Sequence, residues 1–393
     1  MTIAERGASA SRGASGDLER KPLLSFRSIL LMNFGFFGIQ FSFGLQQTAV
    51  NPLFQFIGAN PEDLPLLNLA GPMTGLLIQP LIGAMSDRTW SPRWGRRKPY
   101  FLIGAVGCSV CLFLFPFVTA LWMAVALLWL LDASNNTAME PYRAFISDKL
   151  PDSQLARGFL TQSMFVGAGA VTANFSLYLF QQLITGTTAA GVPFWVFWAF
   201  FIGAFCSIAT VLLSVLSTPE IPPTDEELAE LRAKPSGLGS FIADIADAVR
   251  AMPIGMHKIG LVFMFQWYAI VVYWQFVAVS IGESAFDTAP GDYAFEEAAG
   301  WVGVMNGSYN LVTIFASLVL IGIAARFGAK WIHSVTLVGA AVAMFALSQI
   351  GNQYVLILPM ILLGIAWASM MGIPYIMVAS MVPKERLACT WAS

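Results

Sequence analysis

The 393-residue chain has few charged residues, two histidines and four cysteines. Charged residues make up only 11% of it, against roughly 25% in an average soluble domain, so an ordinary soluble fold is excluded. The cysteines are too few for a disulfide framework, and His257 and His333 are too isolated for a metal site. What the chain has is apolar sequence: 57% hydrophobic residues and a mean hydropathy of +0.68. This composition indicates a protein that is embedded in a lipid membrane.

Ten long apolar stretches run along the chain. A hydrocarbon core roughly 30 Å thick needs about 20 apolar residues of helix, and lipid admits only helices or closed barrels. We therefore predict an all-α membrane protein with ten transmembrane helices, called spans 1 to 10. Their predicted bounds are 27–49, 66–85, 99–118, 121–147, 159–185, 193–217, 257–282, 299–323, 331–350 and 353–380.

Lysine and arginine occupy every second loop. Of the 21 basic residues, only Arg143 departs from this alternation. The opposite loops carry none, and the loop between spans 7 and 8 is acidic. Because cytoplasmic loops are enriched in Lys and Arg, we expect a cytoplasmic N-terminus. The expected location is the plasma (cytoplasmic) membrane of a bacterium.

Two segments outside the spans divide the chain. Residues 1–24 are rich in Ser, Gly and Arg, which predicts a disordered cytoplasmic tail. Residues 218–256 are predicted to be a cytoplasmic linker with short amphipathic helices, because apolar residues around Phe241 form one face. This leaves an N-terminal six-helix bundle at 25–217 and an incomplete C-terminal bundle of about four helices at 257–393.

A weak internal repeat relates the two halves. The segment RWGRR at 93–97 recurs as RFGAK at 326–330, and Pro141-Tyr142 recurs as Pro374-Tyr375, both at a spacing of 233 residues. Parallel repeats of six helices build one class of secondary transporter, which binds its substrate at the midplane between the halves. The same spacing predicts about twelve helices in all, so we expect the chain to be C-terminally incomplete, with about ten.

The loop between spans 2 and 3 carries the most specific motif. It reads GAMSDR at 83–88, followed by RWGRRKP at 93–99. This pattern resembles the signature loop of the major facilitator superfamily. The resemblance implies two pseudo-repeated six-helix bundles and a gating loop that latches them, although the positive charges could instead only set the topology. The implied gating residues are Asp87, Arg88, Gly95, Arg96 and Arg97.

Within that superfamily, spans 1 to 4 resemble the sucrose transporter family of plants and its bacterial and animal relatives. The matching segments are 41–46, GPMTG at 71–75 with Gln79-Pro80, the SDR loop at 86–88, LDASNN at 131–136, and Arg143-Ala144-Phe145 with Asp148. The second half matches only loosely. The resemblance implies a symporter whose essential acid and cation on span 4 fall on Asp132 and Arg143.

Span 4 also stands out by its own pattern. Asp132, Asn136, Met139 and Arg143 share one narrow helical face. A lone carboxylate in mid-membrane costs several kcal/mol unless it faces water or a partner, and burial favours its neutral form. We therefore predict that Asp132 carries a proton; the alternative is a structural hydrogen bond to a neighbouring helix. Arg143 lies about 16 Å farther along the axis, where it could bind substrate, snorkel, or pair with Glu140.

Amide and aromatic residues recur on other spans. On span 1, three amides return every seven residues, and spans 7 and 8 combine amides with Trp and Tyr. Sugars suit such a lining, because amides bind hydroxyls while rings stack on apolar C–H faces. Any single aromatic residue could instead belong to an interfacial belt or to helix packing. The predicted substrate-binding residues are Asn33, Gln40, Gln47, Asn136, Arg143, Trp267, Gln275 and Asn310.

These patterns predict a monomeric secondary active transporter that works by alternating access. Its expected partners are a sugar such as sucrose, maltose or another glycoside, a proton and the lipid bilayer, with no nucleic acid, metal or cofactor. An efflux carrier for hydrophobic compounds and an inactive truncated remnant are the alternatives. An enzyme is not expected, since no clustered nucleophiles or paired carboxylates lie at a membrane face.

Overall fold

The computed structural model describes residues 21–188, 191–224, 226, 228–229, 250, 252–290, 292 and 294–381. Within them the secondary structure is helical, apart from isolated bridges at Ser91–Gly95 and Thr187–Pro193. Most of the predicted N-terminal tail and the predicted linker helices around Phe241 lie outside the described residues.

Helices occupy all ten predicted spans. Several extend past the predicted bounds, because a helix continues beyond the apolar run that crosses lipid. Span 1 is Phe26–Asn33 with Gly35–Phe56, span 2 is Leu64–Leu67 with Ala70–Arg88, span 3 is Lys98–Leu114, span 4 is Leu121–Lys149, span 5 is Asp152–Leu183, span 6 is Phe194–Ser217, span 7 is Ile254–Ala285, span 8 is Phe295–Phe327, span 9 is Ala329–Leu347 and span 10 is Ile357–Met381.

Seven of the described helices are long and apolar enough to cross a membrane by length and composition: those of spans 1, 2, 3, 6, 7, 8 and 9. Span 4 is not among them, because Asp132 and the amides that follow it lower the mean hydropathy of that helix. The polar residues of span 4 are buried: Asp132, Asn135 and Asn136 all lie inside the protein. The least apolar span is thus one that other helices enclose.

The spans pack in a connected order. Span 4 contacts spans 2 and 3, span 1 contacts spans 5 and 6, and span 8 joins span 5 to span 10. Glycines permit the closest approaches: a Cβ added at Gly104 would lie 2.6 Å from the Ser134 carbonyl oxygen, and one at Gly303 would lie 2.6 Å from the Asn174 carbonyl oxygen. The division into bundles at 25–217 and 257–393 stays a prediction.

Span 1 is interrupted at Phe34, and Tyr142 of span 4 occupies the break. The Tyr142 hydroxyl accepts a hydrogen bond from the Gly35 N–H at 3.1 Å and donates to the Met32 carbonyl. Ser214 of span 6 also donates to the Met32 carbonyl, at 2.6 Å. Backbone groups that a continuous helix would pair internally are thus satisfied by side chains. One residue of the Pro-Tyr repeat therefore positions span 1 against span 4.

The two ends of the molecule differ in charge. We call the end that carries the 89–97 loop the basic end, and the end that carries Glu296 and Glu297 the acidic end.

We expect Gly104→Ala to destabilise the protein by about 1–3 kcal/mol, because overpacking forces backbone shifts. The measurement is the thermal unfolding midpoint in detergent. Gly260→Ala on span 7 is the matched control, since a Cβ there meets nothing within 4 Å. Equal midpoints for the two variants would contradict the close packing of spans 3 and 4.

Candidate functional site

Asp132 lies in a cage of hydrogen-bond donors midway along span 4. Its side chain is 3% exposed. Oδ1 accepts from Gln46 Nε2 of span 1 at 2.5 Å, and Oδ2 accepts from Asn136 Nδ2 at 2.9 Å and from the Thr74 hydroxyl of span 2. Three helices therefore meet on one carboxyl group, and every donor is neutral.

A second ring of polar groups holds these donors. Asn135 Nδ2 donates to Gln46 Oε1 at 3.1 Å, and the Cys108 thiol of span 3 donates to Asn135 Oδ1 at 3.0 Å. On the other side, Gln79 Nε2 of span 2 donates to Asn136 Oδ1 at 2.6 Å. The cage is therefore a connected network that reaches from span 3 to span 2.

The cage supplies the hydrogen bonds that a buried carboxylate needs. Hydrogen bonds to a charged group contribute about 1.5–3 kcal/mol each, so three of them offset much of the cost of burying a carboxylate. Within the described part of the chain, no ion pair reaches Asp132.

Arg143 lies apart from Asp132, as the helix geometry requires. Its guanidinium pairs with Glu140 at 2.9 Å and contacts the Met139 sulfur at 3.5 Å. The Arg143 side chain is 45% exposed, so the pair contributes little stability. Glu140, which helical spacing offered as one alternative partner, is therefore the residue that Arg143 pairs with in the structure.

A second polar network joins the first six spans to span 8. Thr48 of span 1 donates to Asn174 of span 5, and Asn306 Nδ2 of span 8 donates to Thr48 Oγ1 at 2.8 Å. The Tyr273 hydroxyl of span 7 donates to Asn306 Oδ1 at 2.8 Å. Four spans share this chain of buried groups. A movement of spans 7 and 8 relative to span 1 must break it.

Aromatic rings cluster on spans 7, 8 and 10. The rings of Trp267, Trp274 and Trp367 have centroid separations of 5.6–6.3 Å in edge-to-face arrangements. The Trp274 indole N–H donates to the Tyr309 hydroxyl at 3.2 Å. Trp267 is 38% exposed, so part of the cluster has no protein cover in this conformation.

The remaining predicted binding residues lie in different surroundings. Asn33 is buried and its Nδ2 donates to the Ile29 carbonyl of the same helix at 2.9 Å. Gln40 and Gln47 are half-buried on span 1, and Gln275 is buried on span 7. Asn310 is buried and donates to the Asn306 carbonyl at 2.8 Å. None of these five side chains hydrogen-bonds to the Asp132 cage in the described structure.

Sequence reasoning missed Gln46, Thr74 and Gln79 as site residues. All three lie within segments that resemble the sucrose transporters, so a signal existed. The seven-residue periodicity instead selected Gln47, one position along the helix from Gln46. A shift of one residue turns a side chain by about 100°, so the two neighbouring amides point to different faces of the helix.

Contacts across the acidic end hold the two groups of spans together. The Trp195 indole N–H of span 6 donates to Glu296 Oε2 of span 8 at 3.2 Å. Asn51 Nδ2 of span 1 donates to the Trp274 carbonyl at 3.0 Å. The rings of Phe56 and Phe295 add an edge-to-face contact at 6.3 Å. These contacts link spans 1 and 6 to spans 7 and 8 near that end.

The loop between spans 2 and 3 forms an ion-pair cluster at the basic end. Asp87 pairs with Arg96 at 3.2 Å and with Arg97 at 2.7 Å, and Arg97 also pairs with Asp148 of span 4 at 2.9 Å. Burial alone would lower the pKa of the Arg97 guanidinium, but Asp148 and Asp87 outweigh this effect and raise its pKa above the ordinary value. Arg88 also has an interaction partner, and its side chain is half-buried.

Glu220, just after span 6, binds the start of span 3. Its carboxylate accepts hydrogen bonds from the backbone N–H groups of Arg96, Arg97 and Lys98 at 2.7, 3.0 and 2.9 Å. These are among the donors that a helix leaves unpaired at its N-terminus, where negative charge is favoured. Gly95 has a φ of +77° and faces the Glu220 carboxylate, where an added Cβ would lie at 2.5 Å. Only glycine combines this backbone conformation with the close approach.

The described residues contain no group of three or more His, Cys, Asp or Glu side chains that could hold a metal ion.

Similar proteins are known by sequence. The sucrose transport protein SUC4 of Arabidopsis thaliana is 25% identical over 390 residues, which cover 87% of this chain and 75% of SUC4. The sucrose transport protein SUT1 of Oryza sativa subsp. japonica is also 25% identical, over 79% of this chain and 64% of SUT1. Solute carrier family 45 member 3 of Homo sapiens is 25% identical, over 91% of this chain and 70% of its own. The chain thus resembles sucrose transporters along most of its length.

Solved structures share its fold. A variant of the nucleoside transporter NupG superposes with a TM-score of 0.70 at 17% identity, over 93% of this chain and 86% of NupG. The xylose transporter XylE from E. coli, in a partially occluded inward-open conformation, superposes with a TM-score of 0.59 at 16% identity, over 94% and 89%. The sequence profile of the Major Facilitator Superfamily matches residues 32–391. The chain is therefore an integral membrane protein of the Major Facilitator Superfamily, with the all-helical fold of its transporters.

Proposed function

We propose that this transporter takes up a sugar together with a proton. The observation that carries the proposal is Asp132, a buried acid on span 4 that is held by neutral donors and has no ion-pair partner among the described residues. Such a group can gain and lose a proton without breaking a salt bridge. The resemblance to sucrose transport proteins supports a sugar, such as sucrose, maltose or another glycoside, as the substrate.

The polar and aromatic groups have the chemistry that a sugar requires. Spans 1, 2 and 4 supply amides and a hydroxyl around Asp132, and spans 7, 8 and 10 supply the Trp267, Trp274 and Trp367 cluster. Amides bind sugar hydroxyls, while indole rings stack on the apolar C–H faces. A carrier for hydrophobic compounds does not need the amide network. Arg143 and the other predicted binding residues are secondary candidates for substrate contacts.

The predicted orientation assigns each end of the molecule to one side of the membrane. With a cytoplasmic N-terminus, the basic end faces the cytoplasm and the acidic end faces outward. The Trp195–Glu296 and Asn51–Trp274 contacts then seal the outer side, which corresponds to the inward-facing half of an alternating-access cycle. Opening outward requires those contacts and the Thr48–Asn306 bond to separate.

The loop between spans 2 and 3, with Asp87, Arg88, Gly95, Arg96 and Arg97, is our candidate for the gate at the opposite end. Ion pairs tie it to span 4 through Asp148, and Glu220 ties it to the end of span 6. In the proposed cycle this clasp keeps the cytoplasmic ends of spans 2, 3, 4 and 6 together, so that they move as one body against spans 7 to 10.

We expect Asp132→Asn to reduce proton-driven uptake at least tenfold while leaving equilibrium exchange of sugar measurable, since the amide keeps the shape of the cage but cannot carry a proton. The measurement is uptake of labelled sucrose and maltose into proteoliposomes under an imposed pH gradient, with and without a protonophore. Asp63→Asn, at an exposed acid near span 2, is the control. Unchanged coupled uptake in Asp132→Asn would remove this acid from the mechanism.

The same assay separates the alternatives. No uptake of either sugar by the parent protein, together with extrusion of a hydrophobic dye, would favour an efflux carrier.

We expect Glu220→Gln to weaken the basic-end clasp by about 1–2 kcal/mol, because neutral amide bonds replace charge-assisted bonds at a helix N-terminus. Trypsin should then cleave faster between Arg93 and Lys98, with the cut sites read by mass spectrometry. Glu62→Gln at the acidic end is the control. If the cleavage rate at this loop equals that of the parent, Glu220 does not hold the loop.

A further inference from the structure

Thr74 has a place in the Asp132 cage that no other donor shares. Its hydroxyl donates to Asp132 Oδ2, and Thr74 Oγ1 accepts from Asn136 Nδ2 at 3.3 Å. The Gly71 carbonyl oxygen, one turn earlier in span 2, lies 3.4 Å from the same Oγ1. The hydroxyl hydrogen therefore has two acceptors within reach. Rotation about one bond moves it from the carboxylate to the backbone carbonyl.

The amides of the cage do not have this freedom. Gln46 and Asn136 reach Asp132 through nitrogen, which donates and does not accept. Turning either amide to offer its oxygen breaks another bond, because Gln46 Oε1 already accepts from Asn135 and Asn136 Oδ1 already accepts from Gln79. When Asp132 is protonated, its new O–H needs an acceptor. Of these three partners, only Thr74 can provide one while the rest of the network stays intact.

We propose that Thr74 is the positioning residue for the transported proton, alternating between donor and acceptor as Asp132 changes its charge. The proposal rests on the proposed role of Asp132 as the proton carrier. A hydronium ion gives its proton to Asp132 Oδ2 and leaves as water. The acid O–H then donates to Thr74 Oγ1, and the Thr74 hydrogen turns to the Gly71 carbonyl. Release of the proton reverses both movements. Only hydrogen positions change, so no covalent bond between heavy atoms forms or breaks.

The arrangement gives the Thr74 hydrogen an acceptor in both states, and gives the acid proton an acceptor when Asp132 is protonated. With Asp132 ionised, Thr74 donates to it and accepts from Asn136. With Asp132 protonated, Thr74 Oγ1 accepts from Asp132 and Asn136 and donates to Gly71. A hydroxyl has one donor and two acceptor sites, so the ionised state uses the donor and one acceptor site, and the protonated state uses all three. Buried networks are stable when all members are satisfied.

The other groups that face Asp132 do not compete for the proton. Span 1 presents the neutral Gln46, span 2 presents Thr74, and span 4 presents Asn136. Span 3 presents the Cys108 thiol, a titratable group whose hydrogen is directed to Asn135 Oδ1. The charged side chain of Arg143 is held by Glu140, farther along span 4.

Infrared difference spectroscopy of the purified protein in lipid tests this inference without any sugar. The C=O stretch of a protonated carboxylic acid is recorded during a pH titration, and Asp132→Asn identifies the band of interest. The compared variants are Thr74→Val, Thr74→Ala and Thr74→Ser. Thr137→Val is the control, because the Thr137 hydroxyl bonds only the Ala133 carbonyl of its own helix at 2.7 Å.

We expect the titration midpoint in Thr74→Val and Thr74→Ala to move upward by about one pH unit. Losing Thr74 costs the ionised form more than the protonated form, because a hydrogen bond to a charged group is stronger than one between neutral groups; a tenfold change in the acid dissociation constant corresponds to one pH unit. The frequency of the C=O band should also change, because the acid O–H loses its acceptor. Thr74→Ser should keep the parent midpoint, and so should Thr137→Val.

The outcomes separate this proposal from the proposed function. Equal midpoints for parent, Thr74→Val and Thr74→Ala, or a Ser variant that shifts as much as Val, would overturn the role of the hydroxyl. The same holds if no band of Asp132 titrates in the parent. If the midpoints shift as expected but no variant, including the parent, takes up sucrose or maltose, then Thr74 keeps its role and the sugar assignment fails.

Discussion

The structure depends on one constraint: an acid buried in lipid-spanning helices must have its hydrogen bonds supplied by the protein. Asp132 obtains them from three helices, through Gln46, Thr74 and Asn136. All three donors are neutral, and no ion pair reaches Asp132 among the described residues. In the proposed function, an acid held in this way exchanges a proton without breaking a salt bridge.

The same constraint shapes the rest of the first six spans. The lowered hydropathy of span 4 is acceptable because spans 1, 2 and 3 enclose its polar face. Close approach of span 3 depends on Gly104, and the break in span 1 depends on the hydroxyl of Tyr142. Each of these features places a backbone or side-chain group where it satisfies another buried group. The hydrogen bonds of the cage and the packing of the helices thus depend on each other.

The two ends of the molecule use different interactions for different purposes. At the basic end, ion pairs of Arg97 and the carboxylate of Glu220 join elements of the first six spans to one another. At the acidic end, single hydrogen bonds such as Trp195–Glu296 and aromatic contacts join those spans to spans 7 and 8. The basic end thus has several charge-assisted bonds, whereas the described contacts that cross the acidic end include one, Trp195–Glu296, together with neutral contacts.

Much of the architecture followed from the sequence alone. Apolar run length predicted all ten helices, because the thickness of the bilayer sets the length of any helix that crosses it. The signature loop and span 4 pointed to the superfamily and to Asp132, because few other sequences place those charges at those depths. The pairing of Arg143 with Glu140 was also foreseen, as one alternative, from helical spacing.

The tertiary structure decided which neutral residues meet that acid. Gln46 rather than Gln47 reaches Asp132, because one residue of register turns a side chain to another face of the helix. Thr74 joins the cage because span 2 packs on span 4, and Glu220 caps span 3 although 122 residues separate it from Lys98. Local periodicity predicts neither the contact of span 2 with span 4 nor the contact of Glu220 with span 3. A helix's length and apolar character depend on its own residues, whereas the partner of a polar side chain depends on how separate helices pack.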